Sequence, residues 1–247
     1  MRNLLAWGAA LALLFAIWQA SLALGLLAPE LLPPIGEVLV TAAGLVTSTS
    51  FLVHAGVTMA EVVLAFVIAV PLGIAAGFAI AESPYWGEVL KPIVFLVFSI
   101  PKTVFLPMFI LAFGITFGQK VAFGVFSTVF IVLISSFAAI EAVKSDQVRV
   151  ARAYGATALQ IALRVYLPAM APILLEAVRI AMIFNLTGVL LAEMYASRAG
   201  LGQLIASWGE NFMLKELLAG ILLISAMAVL FNEAVRWFEA RCEHWRT

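Results

Sequence analysis

Polar and ionisable side chains that could handle a charged solute interrupt two of the long apolar runs in this 247-residue chain. They are Ser99, Lys102 and Thr103 in the first of these runs, and Asn185, Thr187 and Glu193 in the second. A charge deep inside an apolar segment is costly unless water, a counter-charge or a ligand compensates it. These residues therefore predict the passage of a polar solute rather than the making or breaking of covalent bonds.

Lys102 has a functional and a structural interpretation. Pro101 and Pro107 flank it, and prolines inside a helix kink it and free carbonyl groups. The functional interpretation is a cation along a translocation path. Alternatively, Lys102 could pair with a buried carboxylate such as Glu61, or extend its ammonium to the edge of the membrane.

The residues of the second run also leave alternatives open. Asn185 and Thr187 fall near the middle of the run, where they could line the path or bond a neighbouring helix. Glu193 falls near its end. From its position alone, it could be a carboxylate exposed at the interface.

The sequence lacks the motifs of several enzyme classes. It has no G-x-x-x-x-G-K-[ST] phosphate loop, no H-E-x-x-H zinc motif and no G-x-S-x-G nucleophile motif. The one cysteine, Cys242, excludes an internal disulfide, and neither His54 nor His244 has a partner at metal-ligand spacing. The formal net charge is zero and no Lys/Arg cluster suggests nucleic acid binding. We expect no catalytic residue, metal or cofactor in this chain.

The composition indicates that lipid is the main solvent of the chain. Hydrophobic residues make up 64% of it and charged residues 11%, whereas soluble domains carry about 25% charged residues. Six apolar runs approach or exceed the roughly 20 residues that a helix needs to cross a bilayer; they are Leu4–Leu27, Ala55–Ile80, Pro92–Phe113, Val121–Ile140, Ala171–Tyr195 and Leu217–Phe238. The first run is too long for a signal peptide, so we expect a helix there. These features predict an all-α polytopic membrane protein with six transmembrane helices, which forms a single domain over residues 1–247.

The distribution of Lys and Arg predicts the orientation, because cytoplasmic segments of membrane proteins carry more of them. With both termini inside, the inner segments hold Arg2, Lys91, Lys144, Arg149, Arg152, Arg164, Arg236, Arg241 and Arg246. The outer segments hold only Lys120, Arg198 and Lys215. Both termini are therefore predicted to be cytoplasmic. Residues 28–54 and 196–216 then become outer connections, the first extended with room for a short helix, the second with a tight turn at Gly200.

The inner segment RVARAYGATALQIALRVYLP, residues 149–168, is amphipathic and is broken by Gly155. Basic and polar residues recur in it every three or four positions, which sets them along one helix face. Gly155 permits a backbone conformation that other residues resist, and Pro168 is expected to end the short helix that follows. The pattern predicts a helix, a glycine turn and a second short helix between two membrane spans. A plain juxtamembrane loop is the alternative.

This segment resembles the EAA loop of ATP-binding-cassette importer permeases. Ala151, Gly155, Val165, Leu167 and Pro168 match that pattern in register, whereas Arg149 replaces its leading glutamate. Further segments extend the resemblance to the nitrate/sulfonate/taurine branch; they are LLPPIGEV, SIPKTVFLP, FGITFGQK, LPAMAPILLEAVRI and AEMYASRAGLG. The chain is similar to a divergent member of that branch, since Glu61 stands where the branch often has arginine and Phe117 where it often has glutamate.

The resemblance implies the type I importer permease fold and a defined set of partners. Two copies of the permease would form the path in a bacterial inner membrane, above two separate ATPase subunits that bind ATP and magnesium. An external binding protein would deliver the solute. The two copies would bring two Lys102 side chains to one path, which would favour an anionic solute, and Glu193, within AEMYASRAGLG, would fix the outer gate. The residues that the resemblance and the pattern assign to ATPase coupling, in a loop of about 141–170, are Arg149, Ala151, Arg152, Gly155, Thr157, Gln160, Arg164, Leu167 and Pro168.

Two other classes of function remain as alternatives. A secondary transporter or channel would need no ATPase partner, but such transporters often contain internal repeats and none is visible in this sequence. An intramembrane enzyme would need a nucleophile with a base, or a set of metal ligands, and neither motif is present. The leading hypothesis is a non-enzymatic permease subunit whose ATPase activity resides in another chain.

Overall fold

The structure is a computed structural model that describes residues 13, 15–26, 28, 31–143 and 145–242. Within these ranges it is helical and contains no strand. Residues 15–23 are helical, and the helices that follow are α1 Ile35–Thr47, α2 Thr49–Glu82, α3 Pro84–Ser99, α4 Leu106–Phe113, α5 Phe117–Glu141, α6 Ser145–Ala153, α7 Ala158–Ile161, α8 Leu167–Tyr195, α9 Leu201–Glu210 and α10 Leu214–Cys242. A 3₁₀ turn, Lys102–Phe105, precedes α4, and a π-helical turn, Ala162–Tyr166, joins α7 to α8.

Four helical stretches of the described residues are long and apolar enough to cross a membrane; they are Thr49–Glu82, Phe117–Glu141, Ala158–Tyr195 and Leu214–Trp237. A fifth crossing is formed only if α3 and the segment Lys102–Phe113 are counted together. Of the predicted span Leu4–Leu27, the structure describes residues 13 and 15–26, of which 15–23 are helical, and the rest of this span lies outside the described residues. The structure thus accounts for four or five of the six predicted spans.

The predicted span Pro92–Phe113 is wrong as a single helix. Its two parts are bent by 89° with respect to each other. Ile100 has extended backbone angles, φ −76° and ψ 130°, because a residue that precedes proline is driven out of the helical region. Pro101 also has no N–H to continue the helical hydrogen bonds.

The two outer connections contain more helix than the sequence predicted. Residues 28–54 include α1 and the start of α2, and residues 196–216 include α9. In the second connection Gly200, with a φ of +113°, makes the expected turn and α9 begins directly after it. The helical spacing of apolar residues in these short helices is hard to recognise in the sequence, because neighbouring Pro and Gly residues are typical of loops.

The core is formed by α2, α5 and α8. Small residues recur every four positions along α2, at Ala65, Ala69, Gly73 and Gly77, and all four are buried. A Cβ atom at Gly73 would lie 2.7 Å from the Cβ of Val132 in α5, so the two backbones approach closely. Close packing of this kind holds membrane helices together where lipid replaces water as the solvent.

Candidate functional site

The carboxylate of Glu193 joins the C-terminal end of α8, which is predicted to be its outer end, to two other segments. The residue is 0% exposed. Its Oε1 accepts a 2.7 Å hydrogen bond from the Thr58 hydroxyl in α2, and its Oε2 accepts one of 2.7 Å from the backbone N–H of Gly202 in α9. We call this arrangement the outer clamp; it includes Gly200, which precedes α9, and Leu201, the first residue of α9. Glu193 is therefore not a carboxylate exposed at the interface. It is buried, and its hydrogen bonds hold three segments together.

The glycines of the outer clamp make room for the Glu193 carboxylate. A Cβ atom at Gly200 would overlap the carboxylate oxygens, and one at Gly202 would lie 2.7 Å from the Cβ of Glu193. Gly200 also needs its positive φ of +113°, which L side chains rarely adopt. The Nδ1 of His54 accepts a 3.0 Å hydrogen bond from the backbone N–H of Gly200. The segments AEM, residues 192–194, and GLG, residues 200–202, are thus joined by hydrogen bonds into one unit.

Two further ionisable residues lie beside the outer clamp. Glu61, one turn along α2 from Thr58, is buried with its carboxyl close to that of Glu193. Lys120, in the first turn of α5, is buried close enough for its charge to act on both carboxyl groups. The sequence predicts Lys120 only as a cation of an outer segment. Nothing in its local sequence indicates that the start of α5 packs against α2 and α8.

Lys102 makes contacts within its own segment. Its Nζ donates hydrogen bonds to the carbonyl oxygens of Phe98, at 2.5 Å, and Ile100, at 3.3 Å. The ammonium also lies 4.4 Å from the ring centre of Phe98 and 5.8 Å from that of Phe130. It therefore binds carbonyl groups left free where α3 breaks, and the ion pair with Glu61 that the sequence left open is not formed.

The other predicted path residues differ in burial. Asn185 is buried, and its Nδ2 donates a 2.7 Å hydrogen bond to the carbonyl of Val62 in α2. Thr187, Ser99 and Thr103 are exposed on the single chain. The hydroxyls of Thr187 and Ser99 donate to carbonyls one turn back in their own helices, at 2.8 Å each. Asn185 thus bonds a neighbouring helix, while the three exposed residues remain predicted path residues.

At the opposite end of the bundle, α6 ends in the turn that the sequence predicted at Gly155. Gly155 has a φ of +77°. Its N–H donates to the Arg152 carbonyl at 3.0 Å, and the N–H of Ala156 donates to the Ala151 carbonyl at 3.1 Å. This is the Schellman pattern, in which a left-handed residue satisfies the last carbonyls of a helix.

A capping box starts the next helix directly after this turn. The Thr157 hydroxyl accepts from the Gln160 N–H at 3.3 Å, and the Gln160 side chain accepts from the Thr157 N–H at 2.9 Å. Both side chains are predicted coupling residues, and in the structure they fix the local geometry at the start of α7. The segment α6–Gly155–α7 is called the inner knob below.

The prediction that Pro168 ends the short helix is wrong. Helical structure continues from α7 through the π-helical turn into α8, so that one stretch runs from Ala158 to Tyr195. Leu167 donates its N–H to the Ala162 carbonyl, five residues back. This wider turn lets the chain pass Pro168, which has no N–H and whose ring would clash with a carbonyl in a regular helix.

The inner knob is anchored on one side and open on the other. Ile161 and Tyr166 are buried, and the Tyr166 ring packs edge-on against Phe78 of α2 with 5.4 Å between ring centres. Tyr154 and Leu159 are 89% and 68% exposed. The remaining predicted coupling residues are Arg149, Arg152, Arg164, Leu167 and Pro168, of which the first four are exposed and the last half-buried. Arg149 forms an exposed ion pair with Asp146 at 3.8 Å.

Comparisons with known proteins identify relatives along nearly the whole chain. Residues 69–244 match the family described as binding-protein-dependent transport system inner membrane component. The chain is 29% identical over 240 residues to the taurine transport system permease protein of Escherichia coli, which covers 95% of this chain and 87% of the relative. It is 24% identical over 238 residues to the formylaminopyrimidine transport permease protein of Halalkalibacterium halodurans, with 95% and 93% covered.

A solved structure shows the same fold. A chain of the MetNI methionine ABC transporter, in an inward-facing conformation, superimposes with a TM-score of 0.63 at 20% identity, over 75% of this chain and 91% of that one. The family match spans most of the sequence and includes the inner knob and the outer clamp from α8 onward. The chain therefore belongs to the family of binding-protein-dependent transport system inner membrane components, the permeases of ATP-binding-cassette importers, in its nitrate/sulfonate/taurine branch.

Proposed function

We propose that two copies of this chain form the translocation path of an ATP-driven importer for a small solute that bears an anionic group. Two separate ATPase subunits dock on the inner knobs and bind the ATP and magnesium. An external binding protein delivers the solute at the end of the bundle that holds the outer clamp. Both termini face the cytoplasm, at the inner membrane of a bacterium.

The observation that carries this proposal is the inner knob. Its backbone is fixed by the Schellman turn and the capping box, and its base is anchored by Tyr166. Yet Tyr154 and Leu159 project with most of their surface exposed. Tyrosine is a typical anchor of protein interfaces, and exposed apolar surface marks such interfaces. Since the knob is predicted to lie on the cytoplasmic side, the partner that it suits is the ATPase.

The relatives and the charges support an anionic group on the solute. The Escherichia coli relative is named for taurine, which carries a sulfonate. In this chain the predicted path contains Lys102, and the outer end of the bundle contains Lys120 and Arg198. Cations in such positions attract anions from the external solution.

The test is retention of the ATPase. The full chain is purified in mild detergent from membranes in which its importer is expressed, and ATP hydrolysis and subunit masses are measured in the eluate. We expect a complex of two permeases and two ATPase subunits. Tyr154→Ser should reduce the retained ATPase at least fivefold. The matched control is Tyr195→Ser at the opposite end, where the tyrosine is 73% exposed and should not affect retention. A permease that transports its solute without a bound ATPase would contradict the proposal.

A further inference from the structure

A cavity of about 270 Å³ opens beside the outer clamp. It lies between α2, the start of α5 and the loop 196–199, at the end of the bundle that is predicted to face outside. Its polar lining consists of Glu61, Thr116, Lys120, Ser197 and Arg198. At about 30 Å³ for each water molecule of the liquid, the volume suits a small organic solute rather than a large one.

Two ionisable side chains in the lining are buried without forming an ion pair. Lys120 is 2% exposed and Glu61 is 1% exposed. Within the described part of the chain, Lys120 makes no hydrogen bond or ion pair, although the carboxyls of Glu61 and Glu193 act on it through space. Glu61 Oε2 has no hydrogen-bond partner. Burial of an unpaired charge is costly, so the fold retains two groups that a ligand could satisfy.

The cavity presents cationic groups from one wall and carboxyl groups from the other. The α5 wall offers the Lys120 ammonium and the N-terminal end of a 25-residue helix capped by Thr116, where the helix dipole favours anions. Arg198 adds a second cation from the exposed loop. The α2 wall offers Glu61, with Glu193 close behind it. Two cations thus face two carboxyl groups, and a ligand that carried only an anionic group would leave Glu61 unsatisfied.

We infer that this cavity is a binding site in the permease itself for a small dipolar solute, one that carries both an anionic group and an ammonium group. The anionic group binds Lys120 and Arg198 at the start of α5, and the ammonium group binds Glu61 Oε2. This inference rests on the proposed function, which assigns solute entry to the outer end of the bundle. It also assigns part of the solute selectivity to this chain rather than to the external binding protein alone.

Equilibrium binding to the purified full chain in lipid nanodiscs tests the inference without ATP, ATPase or binding protein. The probes are radiolabelled taurine, which is dipolar, with unlabelled ethanesulfonate and n-propylamine as competitors that carry one charge each. We expect taurine to bind at least tenfold more tightly than either competitor. Equal binding of taurine and ethanesulfonate, or no binding of all three, would overturn the inference.

Variants separate the two ends of the site. Lys120→Met should weaken taurine binding by about ten- to a hundredfold, the factor expected for one hydrogen bond to a charged group. Glu61→Gln should lower the affinity for taurine to that for ethanesulfonate, and should leave the affinity for ethanesulfonate within twofold. Lys215→Met and Glu37→Gln are matched controls, because these residues form an ion pair of their own at exposed positions outside the cavity.

A third variant keeps the test decisive if Lys120→Met fails to fold. Val57→Trp fills the cavity from its α2 wall without altering a charge, and it should abolish taurine binding. Unchanged binding in Val57→Trp would overturn the inference. The proposed function and the cavity site can be contradicted independently. A chain that binds taurine but retains no ATPase contradicts the importer. A chain that retains ATPase but binds no probe contradicts only the cavity site.

Discussion

The Thr58 hydroxyl donates a 2.7 Å hydrogen bond to Glu193 and accepts one of 2.7 Å from the N–H of Leu201. One side chain of α2 therefore joins the end of α8 to the start of α9. Both bonds are buried, where neither partner could turn to water if the hydroxyl were lost.

Thr58→Val should destabilise the fold because it leaves the Leu201 N–H and one Glu193 oxygen unpaired. Each buried unsatisfied group costs about 1–3 kcal/mol. Thr187→Val is the control, since its exposed hydroxyl bonds only a carbonyl of its own helix. Thermal unfolding of the two purified variants in the same detergent provides the comparison, and equal midpoints would contradict a role for the Thr58 bonds.

Gly200→Ala should disrupt the outer clamp. The added Cβ would overlap the Glu193 carboxylate, and the φ of +113° is unfavourable for alanine, which alone costs about 1–3 kcal/mol. Gly209→Ala provides the control, because a Cβ there meets nothing within 4 Å. Solute uptake should fall in the first variant and be retained in the second, at matched amounts of permease in the membrane. Full uptake by Gly200→Ala would show that the clamp is dispensable.

Gly155→Val should abolish transport while the protein still inserts into the membrane. A Cβ at Gly155 meets no neighbouring atom, so the substitution acts only through the backbone, whose φ of +77° strains a β-branched residue. Asparagine tolerates this conformation, and Gly155→Asn should therefore keep most of the uptake. The readouts are uptake and stimulation of ATP hydrolysis by loaded binding protein. Equal activity of the two variants would mean that the turn does not matter for coupling.

Lys102→Met should lower stability by about 1–3 kcal/mol, because it removes charged hydrogen bonds to two carbonyl groups at the end of α3. Glu61→Gln should not restore it, since Glu61 lies beside Glu193 and Lys120 instead. A double-mutant cycle on unfolding midpoints should thus give a coupling energy near zero. Restoration by the second substitution would show that the two residues pair after all.

The sequence predicted the features that depend on local chemistry. Apolar runs indicated most of the spanning helices, and Gly155 with Thr157 and Gln160 indicated a turn followed by a helix. It failed at Pro168, because whether a proline ends a helix or is accommodated by a π-helical turn depends on how the next segment packs.

The outer clamp could be predicted only in part. The AEM and GLG segments singled out Glu193 and the glycines by resemblance, but Thr58 lies 135 residues away from Glu193. Lys120 likewise gave no signal, since its burial depends on how α5 packs against α2. Contacts between distant helices are set by tertiary packing, which no periodicity in one segment reveals.

The unbroken helical stretch from Ala158 to Tyr195 contains 38 residues, or about 57 Å at about 1.5 Å per residue. Its first turn belongs to the inner knob, and Glu193 in its last turn holds the outer clamp. One continuous helical stretch therefore contains both α7 of the inner knob and the Glu193 carboxylate of the outer clamp. If this stretch moves as one body, a displacement of α7 in the inner knob also displaces the Glu193 carboxylate, and the outer clamp with it.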